Sequence, residues 1–177
     1  MGGITMTCTC DKEKLFNSGI LTETGIPGAV LPPEEAWKAK KGGYVVIECP
    51  KRIPCNPCAT SCPTGAVIPF ADINDTPSID YSKCTGCGLC VAKCPGLACF
   101  VIDLTYSEDK AIIKMPYELL PLPVKGQTVK CLNRMGEEVA DGEIFLVTEP
   151  LKDSTTVLSV IVPKELAGEI RAIKVVC

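Results

Sequence analysis

The 177-residue chain contains no histidine. That removes the commonest proton shuttle of neutral-pH catalysis and the nitrogen ligand of mixed zinc sites. Aromatic residues make up only 5% of it, too few to anchor a large core, so something else must help hold the chain together. Long apolar runs are missing too: stretches such as "VLSVIV" fall far short of a membrane span. There is no excess of positive charge. The formal charge of -3 and pI near 5.1 give no electrostatic reason to bind nucleic acid. The stretch "MGGITMTCTCDKEK" lacks a basic region followed by an apolar run, so the expected location is cytoplasmic.

Against these absences stand 13 cysteines. The count is odd, and a reducing compartment disfavours disulfides, so metal ligation is the better reading. Eight of the cysteines fall in two short runs. The second run, "CTGCGLCVAKCP", spaces them Cys84-x2-Cys87-x2-Cys90-x3-Cys94, followed by Pro95. Thiolates at two-residue gaps wrap a loop around one centre, with Gly86 and Gly88 relieving crowding and Pro95 ending the helical turn. In the first run, "CPKRIPCNPCATSCP", the spacing Cys55-x2-Cys58-x3-Cys62 with Pro63 is regular, but Arg52 stands where a first cysteine belongs. The nearest upstream cysteine is Cys49, three residues too early, so "PKRIP" is expected to bulge while Cys49 still closes the site; the other reading makes Cys49 a buried thiol beside "YVVIE", with Cys8, Cys10 or an outside ligand in its place.

The chain divides into three zones. Residues 1–43 form an irregular N-terminal arm, broken by Gly25, Pro27, Gly28, Pro32 and Pro33, with a short helix predicted over "PEEAWKAKKGG". Residues 44–117 hold an internal repeat: Cys55, Cys58, Cys62 and Pro63 recur 32 residues later as Cys87, Cys90, Cys94 and Pro95. Strands are predicted at "YVVIE", "AVIPF", "SIDYS" and "ACFVIDL", and helical turns at "CATSC" and "GLCVAKC", giving two pseudo-symmetric units. Residues 118–177 read as a small β-rich barrel or sandwich. Its strands are predicted at "QTVKCL", "EIFLV", "TTVLSVIV" and "AIKVV", its turns at "RMGEE" and "ADGE", and a helical turn at "PKELAGE".

Together the two runs resemble the two-cluster bacterial ferredoxins over about residues 44–105. The resemblance implies an α+β fold with a ferredoxin-like, pseudo-symmetric dicluster domain, two [4Fe-4S] clusters and a crossover of the fourth ligand. One cluster would then be held by Cys49, Cys55, Cys58 and Cys94, and the other by Cys84, Cys87, Cys90 and Cys62. The whole chain, through "TGIPGAVLPP", "VVIECPKRIPCNPCATSCPTGAV" and the β-rich tail, also looks like the small dicluster subunits of flavin-dependent amino-acid and amine dehydrogenases, of the proline, hydroxyproline and opine type. This implies an electron-transfer subunit of an anaerobe, with no catalytic residue of its own. FAD or FMN would reside only in a partner flavoprotein, with another iron–sulfur subunit as a further candidate partner. Alternatives from the same residues are a free-standing ferredoxin and a redox-sensing, iron-sensing or structural cluster module.

Five cysteines remain. Cys8 and Cys10 form a C-x-C read as free thiols, Cys99 is expected to pack near a cluster, and Cys131 and Cys177 are expected to be inert. Lys38, Lys40, Lys41, Lys51 and Arg52 form a basic group that is either a solvated face or a docking patch. Trp37 is either a core anchor or an interface anchor.

Overall fold

The computed structural model describes residue 32, residues 34–50, 52–148, 152 and 154–176. The "TGIPGAVLPP" segment lies outside them, Pro32 excepted. The predicted arm helix is present as α1 (Glu34–Ala39). Trp37 within it donates its indole N–H to the Pro32 carbonyl at 3.0 Å and meets the Tyr44 ring edge-on at 4.9 Å. It packs against both apolar cores, so it anchors the arm to its own chain.

Among the described residues seven strands follow: β1 (Tyr44–Ile47), β2 (Cys99–Asp103), β3 (Lys110–Tyr117), β4 (Thr128–Leu132), β5 (Glu138–Thr148), β6 (Thr156–Pro163) and β7 (Ala172–Val175). Two short helices carry the cysteine runs, α2 (Pro57–Thr60) and α3 (Leu89–Lys93). The strands form a single sheet in the order β1-β2-β3-β6-β5-β4-β7, antiparallel throughout. The boundary between residues 117 and 118 therefore falls between two strands of one sheet. One face of the sheet closes on a core containing Val46, Ile102, Ile113, Met115, Ile144, Leu158 and Ile173. β-branched runs such as "TVLSVIV" suit this pleated, largely buried surface.

The sheet curls so far that its two edges meet. Glu48, just beyond β1, is buried and ion-paired to Arg171 Nε at 2.7 Å, just before β7, and to Arg134 in the β4–β5 turn. Burial pushes the Glu48 carboxyl up, but the two guanidinium groups outweigh it and hold the group below the usual carboxylate range. β1 and β2 are shared elements. Val46, Phe100 and Ile102 face the curled sheet's core, whereas Val45, Ile47, Cys99 and Val101 face a second core beneath the cysteine loops.

Three sequence expectations change, and one strand is added. "AVIPF" and "SIDYS" form no strands, only a Val67–Ile79 bridge, because Pro69 and Pro77 cannot donate to a ladder. The two halves are thus unequal: their outer strands pair as β1 and β2, while their inner segments barely touch. "ADGE" is no turn but the middle of β5, where a side chain at Gly142 would come within 2.6 Å of Cys131 Sγ. β3 escaped the sequence reading because Pro116 interrupts it. That proline lies beyond the Val101–Lys114 end of the pairing with β2, where β6 alone pairs with β3.

Candidate metal centre

The second run is held from several sides. Cys84 and Cys90 are buried and Cys87 is exposed. Gly86 has φ +67°, and any Cβ there would strike the Gly43 carbonyl, so only glycine lets the loop lie against the start of β1. Lys114 on β3 donates to the Gly86 carbonyl at 2.7 Å and the Cys87 carbonyl at 3.4 Å. Lys40 donates to the Cys84 carbonyl and lies 4.1 Å from the Tyr44 ring centre, and the Val45 N–H reaches Cys84 Sγ at 3.4 Å.

This loop walls a pocket of about 310 Å³, its open mouth included, lined by Cys84, Cys87 and Cys90 together with Cys62 from the first run. Val45, Val67 and Val101 make its apolar floor. Burial pushes the Cys62 thiol up, yet the N–H groups of Val67, Thr64 and Ala66 and the Thr64 hydroxyl hold it below the ordinary thiol value. A sulfur-only donor set around one cavity, with N–H groups aimed at sulfur, fits an iron–sulfur cube.

The first run is looser. Pro57 opens α2 and places Cys58 on it, with Cys55 before and Cys62 after, all half-buried. Cys94 caps the far end of α3, and the Ala98 N–H reaches its sulfur at 3.4 Å. Cys55 and Cys58 lie close enough to Cys94 to couple electrostatically. The Cys94 thiol is lowered to about 6, first by the neighbouring Cys99 thiol and then, against burial, by the Ala98, Gly96 and Cys99 N–H groups. Cys49 follows Glu48 directly and packs, half-buried, against the core that contacts Cys58, Cys62 and Cys94. Among the described residues no three ligand-type side chains converge enough to hold a single metal ion. A four-iron cube with a thiolate at each iron spreads its ligands more widely.

Some features had no signal in the sequence. Lys114 became visible only once β3 placed it under the loop, and Lys40 leaves the proposed basic patch to clamp Cys84. Arg52 remains exposed but pairs with Asp75 at 3.3 Å. Lys51, Cys8, Cys10 and Cys177 lie outside the described residues. Cys131 is fully buried, and burial pushes its thiol up to about 11, away from reactivity. Cys99 is also fully buried, with its side chain near Cys58, Cys90 and Cys94. Among the described residues no helix is long and apolar enough to cross a membrane.

The site and fold define a dicluster iron–sulfur protein of the ferredoxin type, and residues 45–95 match the 4Fe-4S dicluster domain family. The chain is 31% identical over 74 residues to pyruvate synthase subunit PorD of Methanocaldococcus jannaschii, spanning 40% of this chain and 84% of that protein. It therefore belongs to this dicluster iron–sulfur family. It is also 49% identical over 82 residues to the thiosulfate reductase electron transfer subunit PhsB of Salmonella typhi, spanning 46% of this chain and 41% of that one. The chain thus covers about two fifths of the second relative. No solved structure matches it significantly.

Proposed function

We propose that the chain is a cytoplasmic electron-transfer subunit that relays single electrons through two [4Fe-4S] clusters. Cys49, Cys55, Cys58 and Cys94 hold cluster I, and Cys84, Cys87, Cys90 and Cys62 hold cluster II. The observation that carries this reading is the pocket joining Cys62 of the first run to three cysteines of the second. A ligand exchanged between runs brings two cubes into one small domain, the geometry of a relay. The clusters supply the one-electron chemistry. The chain's own residues fix the thiolates, direct N–H groups at them and exclude water along the Val45, Val67 and Val101 floor. The exposed Cys87 makes the edge of cluster II the nearest point of exchange with a partner.

The electron donor in this proposal is a flavoprotein dehydrogenase carrying FAD or FMN, with a downstream acceptor beyond the chain. The relatives support a role within an assembly, since one is named as an electron transfer subunit and the other as a synthase subunit. The lengthened first run and the β-rich tail support the dehydrogenase type.

Anaerobic affinity purification from the native host, with co-purifying chains identified and iron, sulfide and flavin assayed, tests both parts. About eight irons per chain, as two cubes require, with stoichiometric flavin on a partner is the expected result. Eight irons on the isolated chain would make it a free carrier. About four irons would leave one of the two runs without a cube.

A further inference from the structure

A ninth thiol lies between the two cysteine runs. Cys99 opens β2 opposite Ile47 of β1, is fully buried, and belongs to the core that holds Cys84 and Cys90 and contacts Cys58, Cys62 and Cys94. Its side chain lies in that core among ligands of both proposed clusters, Cys58 and Cys94 of cluster I and Cys90 of cluster II. It therefore stands at the junction of the two sites.

The internal repeat shows what else could occupy this place. The 32-residue shift that carries Cys62 onto Cys94 carries Ala66 onto Ala98 and Val67 onto Cys99. The backbone keeps the correspondence: the Val67 N–H serves the Cys62 sulfur, and the Cys99 N–H serves the Cys94 sulfur. Only the side chains differ. Valine, an apolar wall of the cluster II pocket, is buried as deeply as its counterpart, so packing alone does not call for a thiol at residue 99.

We propose that Cys99 ligates no iron and instead donates its S–H to a cluster-ligand sulfur at the junction, raising the reduction potential of the cube it serves. This rests on the two-cluster assignment above. Reduction adds negative charge that spreads onto the ligand sulfurs, so a donor there favours the reduced state. The low local dielectric of a fully buried position strengthens the effect. One S–H serves one acceptor at a time, and two of the three acceptors belong to cluster I. The cluster I couple therefore moves more.

The test compares the full-length, anaerobically reconstituted protein with Cys99→Val and Cys99→Ser, first by iron and sulfide content and then by EPR-monitored redox titration. Cys99→Val should keep the wild-type iron content, shift one couple to lower potential and move the other less. Cys99→Ser, which restores a donor, should bring that couple back towards its wild-type position. Unchanged couples in Cys99→Val would reduce the thiol to packing, and loss of iron from it would make Cys99 a ligand; either overturns the proposal. Should the valine variant not fold, Cys99→Ala makes the same comparison. Fewer than about eight irons in the wild-type protein would sink the two-cluster assignment itself, and this inference with it, before any potential is read.

Discussion

The two cysteine runs share a spacing but sit in different settings. The second lies inside the fold: two of its cysteines are buried, its glycine rests against Gly43, and Lys40 and Lys114 clamp its carbonyls. The first lies mostly on the surface, with Arg52, Ile53 and Pro54 exposed and its cysteines half-buried. It is fixed at its start by Glu48, whose N–H bonds the Ala98 carbonyl at 2.7 Å while its carboxylate joins the two edges of the curled sheet. The comparison teaches that protein contacts pre-form the second loop. The first is pinned at its start and has fewer contacts to the rest of the sheet, so under the proposed assignment it leans more on the iron it would hold.

The strongest way to break this contrast is to remove the pin. Glu48→Gln removes the buried carboxylate that bridges Arg171 and Arg134, a loss of about 3–5 kcal/mol, or a fall in melting temperature on the order of 10 °C. Iron should be lost from the first run before the second. Thermal denaturation of the holo-protein with iron assayed along the transition checks this, and simultaneous loss from both runs would show that the pin serves the whole sheet equally. Gly86→Ala attacks the other side of the comparison. A left-handed backbone at a non-glycine residue, added to the clash with Gly43, should cost about 1–3 kcal/mol. Iron should fall towards half, with the first run retained; a full complement would mean that the loop can shift off Gly43.

Much of this asymmetry was legible in the sequence, because Arg52 in place of a cysteine already marked the first run as irregular. Cysteine spacing is local covalent information, so the ligand candidates could be read without a fold. The shared sheet was harder to foresee. β3 contains a proline and "ADGE" mimics a turn, yet tertiary pairing with β6 overrides both local signals. The clamps Lys40 and Lys114 are each far in sequence from part of what they hold, and single lysines carry no periodicity. Cys99 was readable as a buried neighbour of a cluster, but its position at the junction of the two runs needed β1 and β2 to be paired.

A smaller effect sharpens the comparison from within the repeat. The turn after each run closes through a left-handed residue: Gly65 at φ +65° in the first half and Leu97 at φ +52° in the second. Leucine there suffers the clash between Cβ and carbonyl that glycine avoids, about 1–2 kcal/mol, and its side chain is 37% exposed, so little burial offsets it. Leu97→Gly should therefore stabilise the protein by about 1 kcal/mol after the added freedom of the unfolded chain is counted, raising the melting temperature by roughly 2–4 °C. The reverse change, Gly65→Leu, should destabilise by a similar amount. If Leu97→Gly instead lowers the melting temperature, the leucine contributes packing that outweighs its strain, and the second half is held even more tightly than its clamps indicate.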